Sequence, residues 1–261
     1  MRTDCYVIKF GGSVITKKSG SYQLLDGVIK KIARILRKKS IDLPLIIIFG
    51  GGSFGNLAPF DYKVLERSDD KASKTLPMMT VVMFSMLSEI TRTFVDLSLP
   101  VYPLQASALI CADENGEITI DGRAITSIIS SGHIPLITGD LIFNGIDKYE
   151  IFSSDNIPAL LTTDFSIARA LYYTDVEGVY ESITSTTVVP YVDDSNLRVM
   201  QQAAGDSSNR DITGGMRNKL YQQHLLAQLG VESEVLSFER FENVDLSLKG
   251  YKHYGTVFLP G

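Results

Sequence analysis

The stretch LIIIFGGGSFGN, residues 45–56, joins an apolar run to a loop that is almost free of side chains. The run 45–49 has the length of a buried strand, and three glycines follow it directly. Glycine lets the backbone turn sharply and leaves its N–H groups uncovered, which suits a bound anion. The stretch therefore predicts a buried strand that ends at an anion-binding loop.

Composition limits the classes of partner. The chain of 261 residues is 44% hydrophobic, which is enough to bury a substantial core. It has 30 acidic against 25 basic residues, and we find no long Lys/Arg block. Such blocks are typical of proteins that bind nucleic acids or membrane surfaces. We therefore expect no nucleic acid and no membrane as a partner.

The two cysteines, Cys5 and Cys111, form no CxxC motif and have no His cluster beside them. This pattern predicts no metal site built by the protein itself, and unpaired thiols suit a reducing compartment. The first residues are too poor in apolar side chains for a signal peptide, and no run approaches the roughly 18 apolar residues of a membrane span. We expect a cytoplasmic protein.

Strand and helix patterns alternate along most of the chain, which predicts an α/β fold: a three-layer αβα sandwich around a largely parallel sheet. A domain boundary would fall near residues 145–165, but no Pro/Gly linker marks it, so we expect one domain, 1–261. The predicted strands are residues 5–10, 45–49, 101–104, 133–137, 168–173, 234–236 and 256–259, with a hairpin around 113–117. The predicted helices are residues 25–39, 78–97, 123–131 and 217–229, with a shorter helix ending at 161. Residues 182–208 are predicted as loop with short elements.

Four glycine-bearing turns fall at strand ends or helix starts, at residues 11–13, 50–53, 139–140 and 213–215. In parallel sheets ligands bind at that edge, and helix N-termini favour phosphate. Lys9 precedes the first turn, and Lys219 follows the last by one helical turn. Neither GxxxxGK[ST] nor a clean GxGxxG is present, which disfavours an ordinary P-loop or a dinucleotide site.

The order of six motifs resembles a known family. IKFGGSVITKK, IIIFGGGSFGN, FSSDN, YTDVEGVY, DITGGMRNK and YGTVF are similar to the signature series of the amino acid kinase superfamily. The branch that they resemble most is the isopentenyl phosphate kinases, followed by the fosfomycin kinases. The resemblance runs from about Val7 to Val257, nearly the whole chain.

The resemblance implies ATP as phosphoryl donor and a division of one domain into an acceptor-binding half, about 1–150, and a nucleotide-binding half, about 151–261. Lys9 would bridge the transferred phosphoryl group, Lys18 would assist at the phosphates, and Lys219 would lie at the nucleotide. The other residues implied at the nucleotide are Gly11, Gly12, Ser13, Asp175, Gly178, Gly214 and Gly215.

On the acceptor side the resemblance implies a small phosphorylated molecule. The matching positions are Gly51, Gly52, Ser53, Asn56, Met83, Ser154 and Asp155, with Ser154 in place of the family's glycine. Mg²⁺ would be held mainly by the phosphates of ATP rather than by carboxylates. The resemblance also implies a homodimer.

The residue types suit phosphoryl transfer independently of the family. The reaction needs aligned oxygens and positive charge around the moving group, with little covalent work by the protein. Lysines supply the charge, and the two glycine loops at 11–13 and 50–53 are expected to supply N–H donors from opposite sides. An acceptor that is already a phosphate has an ionised oxygen and needs no general base.

Asn56 departs from the isopentenyl phosphate kinases and the fosfomycin kinases, whose loop usually ends in histidine. Histidine can donate as a cation to a dianionic acceptor, whereas asparagine offers a neutral amide. One lost charge-assisted hydrogen bond is worth about 1.5–3 kcal/mol. The change is consistent with a slow isopentenyl phosphate kinase or a different acceptor; alternatively, Asn56 simply ends the loop or caps the next segment.

An apolar stripe follows this loop, at Met78, Met79, Val82, Met83, Met86 and Leu87. It suits an apolar acceptor, because methionine adapts to irregular shapes, and it equally suits ordinary core packing. The charged segment 66–74 is predicted as a solvated loop, with a mobile lid as the alternative.

Three functions stay open at this point. The first is an ATP-dependent kinase of a small phosphorylated acceptor, with isopentenyl phosphate the leading candidate. The second changes the acceptor to a phosphonate such as fosfomycin, a carboxylate or an alcohol, which Asn56 and Ser154 favour. The third is a nucleotide-binding relative without catalysis, against which the retained Lys9, Lys18, Asp175 and Lys219 argue.

Overall fold

The computed structural model describes residues 2–17, 20–62, 64–65, 70–113, 115–143, 149–182, 184–203 and 215–260. Its strands are β1 Thr3–Phe10, β2 Leu45–Phe49, β3 Val101–Leu104, β4 Ile110–Ala112, β5 Ile118–Ile120, β6 Ile134–Thr138, β7 Asp140–Phe143, β8 Tyr149–Phe152, β9 Phe165–Thr174, β10 Tyr191–Val192, β11 Ser233–Ser237 and β12 Thr256–Phe258. Its α-helices are α1 Gly12–Ile15, α2 Asp26–Lys38, α3 Gly52–Asp61, α4 Asp70–Asp96, α5 Ala106–Leu109, α6 Gly122–Ser130, α7 Ile157–Leu161, α8 Leu197–Ala203, α9 Gly215–Gln228 and α10 Val244–Leu248. Two 3₁₀ helices span Ser154–Asn156 and Phe238–Asn243.

The main sheet has eight strands in the order β10-β12-β11-β9-β1-β2-β6-β3. All neighbours in it are parallel except β11 and β12. Two antiparallel hairpins, β4-β5 and β7-β8, lie apart from it. The predicted α/β sandwich with a largely parallel sheet is therefore confirmed.

The centre of the sheet is covered on both faces, as parallel strands require. Side chains alternate along β1, so that Ile8 and Phe10 join one apolar cluster with α2 and α4. Cys5 and Val7 join a second cluster with α7 and α9 on the other face. These two clusters form the cores between the three layers.

Helix α4 corrects the expectation that no segment of the chain approaches the length and composition of a membrane span. Its segment Thr75–Asp96 is 22 residues long with a mean hydropathy of 1.2, so by length and composition alone it could cross a membrane. Met86, Ile90 and Phe94 are fully buried against the rest of the protein, which gives the apolar content a core-packing reason. A helix buried in a protein core can have the same length and apolar composition as a membrane span.

Four local features differ from the prediction. Helix α3 begins at Gly52, inside the glycine stretch, because the positive φ of Gly52 (51°) turns the chain directly into a helix. The hairpin β7-β8 and the helical stretch from 238 to 248 were not predicted. In segment 66–74, predicted as loop, residues 66–69 lie outside the described residues and the backbone from Asp70 onwards is helical.

Candidate active site

The central strands end together at one edge of the sheet. Phe10 of β1 pairs in register with Phe49 of β2 and Tyr173 of β9, and Phe49 pairs with Thr138 of β6. The turns that follow these strands meet the start of α9 around a cavity of about 450 Å³. The predicted residues that line it are Lys9, Gly11, Gly12, Ser13, Gly51, Gly52, Asn56, Met83, Ser154, Asp155, Asp175, Gly215 and Lys219.

The two loops at 11–13 and 50–53, named here the first and the second glycine loop, contact each other through their backbones. A Cβ on Gly12 would lie 2.1 Å from the nitrogen of Gly52, and one on Gly50 would lie 2.5 Å from the nitrogen of Gly12. No side chain fits at such distances. The two loops therefore form one continuous part of the cavity lining, and donation of their N–H groups from opposite sides stays a prediction.

Lys9, Asp155 and Lys219 form a buried group of charges in the cavity. Lys9 Nζ lies 2.5 Å and Lys219 Nζ lies 2.8 Å from the same oxygen, Oδ1 of Asp155. Lys9 is near the end of β1, Asp155 is in the 3₁₀ helix after β8, and Lys219 is in the second turn of α9. One carboxylate thus fixes two ammonium groups that come from distant parts of the chain.

Burial and charge shift the pKa values of this group. Burial lowers the pKa of Lys9 to about 8; the Asp155 charge acts in the opposite direction, and the Lys219 charge lowers the value further. Burial alone would raise the pKa of Asp155, but the charges of Lys219 and Lys9 outweigh it and hold that pKa well below its usual range. Near neutral pH Lys9 therefore carries a positive charge and Asp155 a negative charge.

Ser13 and Asp175 connect α1 to the turn after β9. The Ser13 hydroxyl donates a hydrogen bond of 2.7 Å to Asp175 Oδ1, and both residues are exposed at the cavity. This contact joins positions that are 162 residues apart in sequence. The predicted nucleotide positions on these two segments therefore lie at one place.

Four apolar side chains line part of the cavity. Met79 and Met83 reach it from α4, and Ile151 and Phe152 reach it from β8. The predicted methionine stripe divides accordingly, because Met78 is exposed and Met86 is fully buried in the core. Two of its members therefore line the cavity, and core packing accounts for Met86.

Asn56 lies in the second turn of α3, half-buried and facing the cavity. It neither ends the loop nor caps a helix, so that alternative interpretation is wrong. Gly55 beside it also lines the cavity. Asn56 is thus presented to the cavity by a helix that starts at the second glycine loop.

Ser53 lies below the surface of the cavity rather than in its wall. Its backbone N–H donates to Thr16 Oγ1 at 3.0 Å, so this amide is already engaged. Its hydroxyl is buried, and no partner for it is found in the part of the chain that the structure describes. The predicted contact of Ser53 with the acceptor is not supported by this placement.

Gly178 is also placed away from the cavity. A Cβ there would lie 2.7 Å from Val188 Cγ1 and 2.8 Å from Thr256 Oγ1, so close packing against β12 accounts for the glycine. Lys18 and Gly214, predicted at the phosphates and the nucleotide, lie outside the described residues.

The sequence assigned no role to Asp140, which is 1% exposed and lines the cavity. Its carboxylate accepts hydrogen bonds from the side chains of Thr80 (3.0 Å), Gln105 (3.1 Å) and Ser107 (2.8 Å), and from the backbone N–H of Leu141 (2.7 Å). It ties α4 and α5 to β7. The signal that could have revealed it is the glycine-bearing turn 139–140 at a strand end.

The carboxylates of the cavity do not form a ready cation cage. Among the described residues no group of three or more His, Cys, Asp or Glu side chains could hold a metal ion. Asp155 is paired with two lysines, and Asp140 accepts four hydrogen bonds. The donor set instead fits the phosphates of a nucleotide, through two ammonium groups and glycine-loop amides.

Comparisons with known proteins agree with this geometry. Residues 4–236 match the model of the amino acid kinase family. The isopentenyl phosphate kinase of Methanothermobacter thermautotrophicus is 26% identical over 265 residues, covering 96% of this chain and 97% of that protein. The isopentenyl phosphate kinase of Methanocaldococcus jannaschii is 25% identical over 226 residues, covering 82% of this chain and 84% of that protein.

A solved structure of an isopentenyl phosphate kinase has the same fold. It superimposes with a TM-score of 0.80 at 23% identity, covering 97% of this chain and 99% of that one. The resemblance drawn from the motifs is confirmed. The chain therefore belongs to the amino acid kinase family and is an ATP-dependent kinase.

Proposed function

We propose that the protein transfers the γ-phosphoryl group of ATP to a small phosphorylated acceptor, most favourably isopentenyl phosphate, giving isopentenyl diphosphate. The observation that carries the proposal is the buried Lys9-Asp155-Lys219 group beside two joined glycine loops. The relatives named isopentenyl phosphate kinase, at about a quarter identity, support this acceptor class.

The lysines supply the electrostatic part of the mechanism. Phosphoryl transfer spreads negative charge over the moving group, and fixed positive charge in a buried site stabilises it. Asp155 holds both ammonium groups in place before the substrates arrive, so that little reorganisation is needed. Mg²⁺, when bound, would be held mainly by the ATP phosphates and would neutralise part of their charge.

The acceptor needs no activating base in this proposal. A phosphate oxygen is already ionised near neutral pH, so the protein has only to align it with the γ-phosphoryl group. Backbone amides of the glycine loops position phosphates without contributing charge. The methionines and β8 side chains of the cavity would face the hydrocarbon part of the acceptor.

A second candidate is a kinase of another small acceptor: a phosphonate such as fosfomycin, a carboxylate or an alcohol. Asn56 favours it, because a neutral amide lines the cavity where the isopentenyl phosphate kinases, by the resemblance, usually have histidine. The loss of one charge-assisted hydrogen bond, about 1.5–3 kcal/mol, would weaken a dianionic acceptor most. Ser154 also lines the cavity and replaces the family's glycine, which likewise favours a different acceptor.

The test is an assay of ATP consumption with Mg²⁺ against isopentenyl phosphate, dimethylallyl phosphate, fosfomycin and small phosphorylated alcohols. We expect turnover of isopentenyl phosphate by the wild type and faster turnover by Asn56→His. Turnover of another acceptor alone would select the second candidate. Lys9→Ala should abolish activity, whereas Lys30→Ala, at a surface lysine paired with Asp26, should not; activity unchanged by Lys9→Ala would refute both kinase assignments.

We also propose one domain whose residues 1–150 provide most of the acceptor site and residues 151–261 most of the nucleotide site.

A homodimer is proposed because α4 exposes three apolar side chains that are spaced by three residues: Met78 is 39% exposed, Val81 54% and Phe84 47%. We expect light scattering to show that Phe84→Glu is monomeric, whereas a monomeric wild type would refute the proposed dimer.

A cytoplasmic setting is inferred from the two free cysteines.

A further inference from the structure

One side chain connects the two glycine loops. The hydroxyl of Thr16 donates to the carbonyl oxygen of Gly12 at 2.8 Å, and the hydroxyl oxygen itself, Thr16 Oγ1, accepts the backbone N–H of Ser53 at 3.0 Å. Thr16 is 3% exposed and directly follows α1. Its hydroxyl therefore joins the first glycine loop to the first turn of α3.

The contact is tight on every side. A Cβ on Gly52 would lie 2.2 Å from Thr16 Oγ1 and 2.7 Å from the carbonyl oxygen of Gly12. The backbone N–H of Thr16 also donates to that carbonyl, at 3.0 Å. With this spacing, neither loop can slide past the other without breaking the hydrogen bonds of the Thr16 hydroxyl.

We propose that Thr16 is a positioning residue that fixes the nucleotide-side loop against the acceptor-side loop and so sets the distance between donor and acceptor phosphates. The proposal rests on the proposed function, in which the first glycine loop holds ATP and the second faces the acceptor. Thr16 does not line the cavity, so it acts through the loops and not on substrate. Phosphoryl transfer is sensitive to such a link, because its rate depends on the alignment of two separately bound groups.

The kinetic test uses two matched substitutions. Thr16→Val keeps the shape of the side chain and removes the hydroxyl, whereas Thr16→Ser keeps the hydroxyl. Because a misplacement of about 1 Å can reduce a rate about 100-fold, we expect Thr16→Val to lower kcat about 10- to 100-fold with little change in the KM for ATP. Thr16→Ser should restore most of kcat.

Thr91→Val is the control for loss of a hydroxyl. Thr91 donates in the same way to a carbonyl four residues earlier, that of Leu87, but lies on α4 away from the cavity lining. The substitution Thr91→Val should lower the thermal stability of the protein without lowering kcat. Equal kcat values for Thr16→Val and wild type, or equal losses in Thr16→Val and Thr91→Val, would overturn the proposal.

A second measurement does not depend on the acceptor. Hydrogen exchange of the Ser53 amide, followed by NMR, should be slow in wild type and Thr16→Ser and faster in Thr16→Val, because the acceptor of that N–H is lost. A non-hydrolysable ATP analogue with Mg²⁺ should slow exchange in the second glycine loop of wild type and Thr16→Ser, but not of Thr16→Val. A slow Ser53 amide in Thr16→Val would refute the link itself, whereas a wild type that binds no nucleotide but has a slow Ser53 amide would refute the proposed function alone.

Discussion

The substitution Asp155→Asn tests the charge arrangement most directly. It keeps the size of the side chain and removes the negative charge between Lys9 and Lys219. Two buried ammonium groups would then lie close together without compensation, so one of them should lose its proton more easily. The prediction is that the pH at which activity falls moves down.

The magnitude is taken from Coulomb's law for a contact ion pair, which Lys9 and Asp155 form in the wild type. At an effective dielectric constant of about 20, opposite charges about 4 Å apart interact by about 4 kcal/mol, which corresponds to about 3 pKa units. In the wild type the pKa of Lys9 is about 8, so kcat/KM for ATP should fall as pH rises above that value. In Asp155→Asn the fall should begin about 2–3 units lower, because the amide oxygen replaces only part of the attraction.

The assay is kcat/KM for ATP between about pH 5 and pH 10, supported by NMR titration of ¹⁵N-labelled lysine side chains, which needs no turnover. The pH at the midpoint of the descending limb is compared between Asp155→Asn and the wild type. Asp26→Asn, at an exposed carboxylate that pairs with Lys30, serves as the control. A descending limb that stays near pH 8 in Asp155→Asn would refute the reasoning.

Three further outcomes are expected. Gly12→Ala should prevent stable folding or abolish activity, because its Cβ would overlap the nitrogen of Gly52. Gly27→Ala in α2 has open space around the new Cβ and should stabilise the protein by about 0.4–1 kcal/mol. Thermal unfolding of the two variants side by side checks this, and equal stability would contradict it. Asp140→Asn places an amide donor among four donors and should lower the free energy of unfolding by about 1–3 kcal/mol in urea titration, with no loss refuting its structural role. Because the folded-state pKa of Asp155 is lowered, its stabilisation is present above the ordinary pKa of 3.8 and is lost as pH falls further, so Asp155→Asn should flatten the acid limb of the stability curve; an unchanged limb would contradict this.

Local patterns were sufficient to predict the main elements. The apolar run 45–49 coincides with β2, and the spacing of apolar residues in α2 predicted that helix to within one residue at each end. Both patterns record which side chains must be buried, and burial of a strand or a helix face is a local requirement. Where the pattern was weak, as in the hairpin β7-β8, the element was missed.

The position of the site also followed from the sequence. Glycine turns after parallel strands must meet at one edge, whatever the order of the strands. Lys9 and Lys219 were therefore expected near a phosphate, whereas Asp155 was expected near the acceptor from the family resemblance alone; all three line the cavity. Membership of the amino acid kinase family was recognisable from six ordered motifs for a related reason, since five of them contribute residues to the cavity at that edge, the exception being YGTVF at β12.

The sequence by itself determined the α/β class, the family and the edge of the sheet that carries the site, because these depend on local burial and on the ends of strands. Only the tertiary structure decided which groups touch: that one oxygen of Asp155 holds both lysines, that the glycine loops join through Thr16, and that Asn56 is presented by a helix. Gly178 belongs to the same class, since its neighbours come from Val188 and Thr256. Such contacts join distant segments, and their distances are set by strand register and helix packing, which no short stretch of sequence contains.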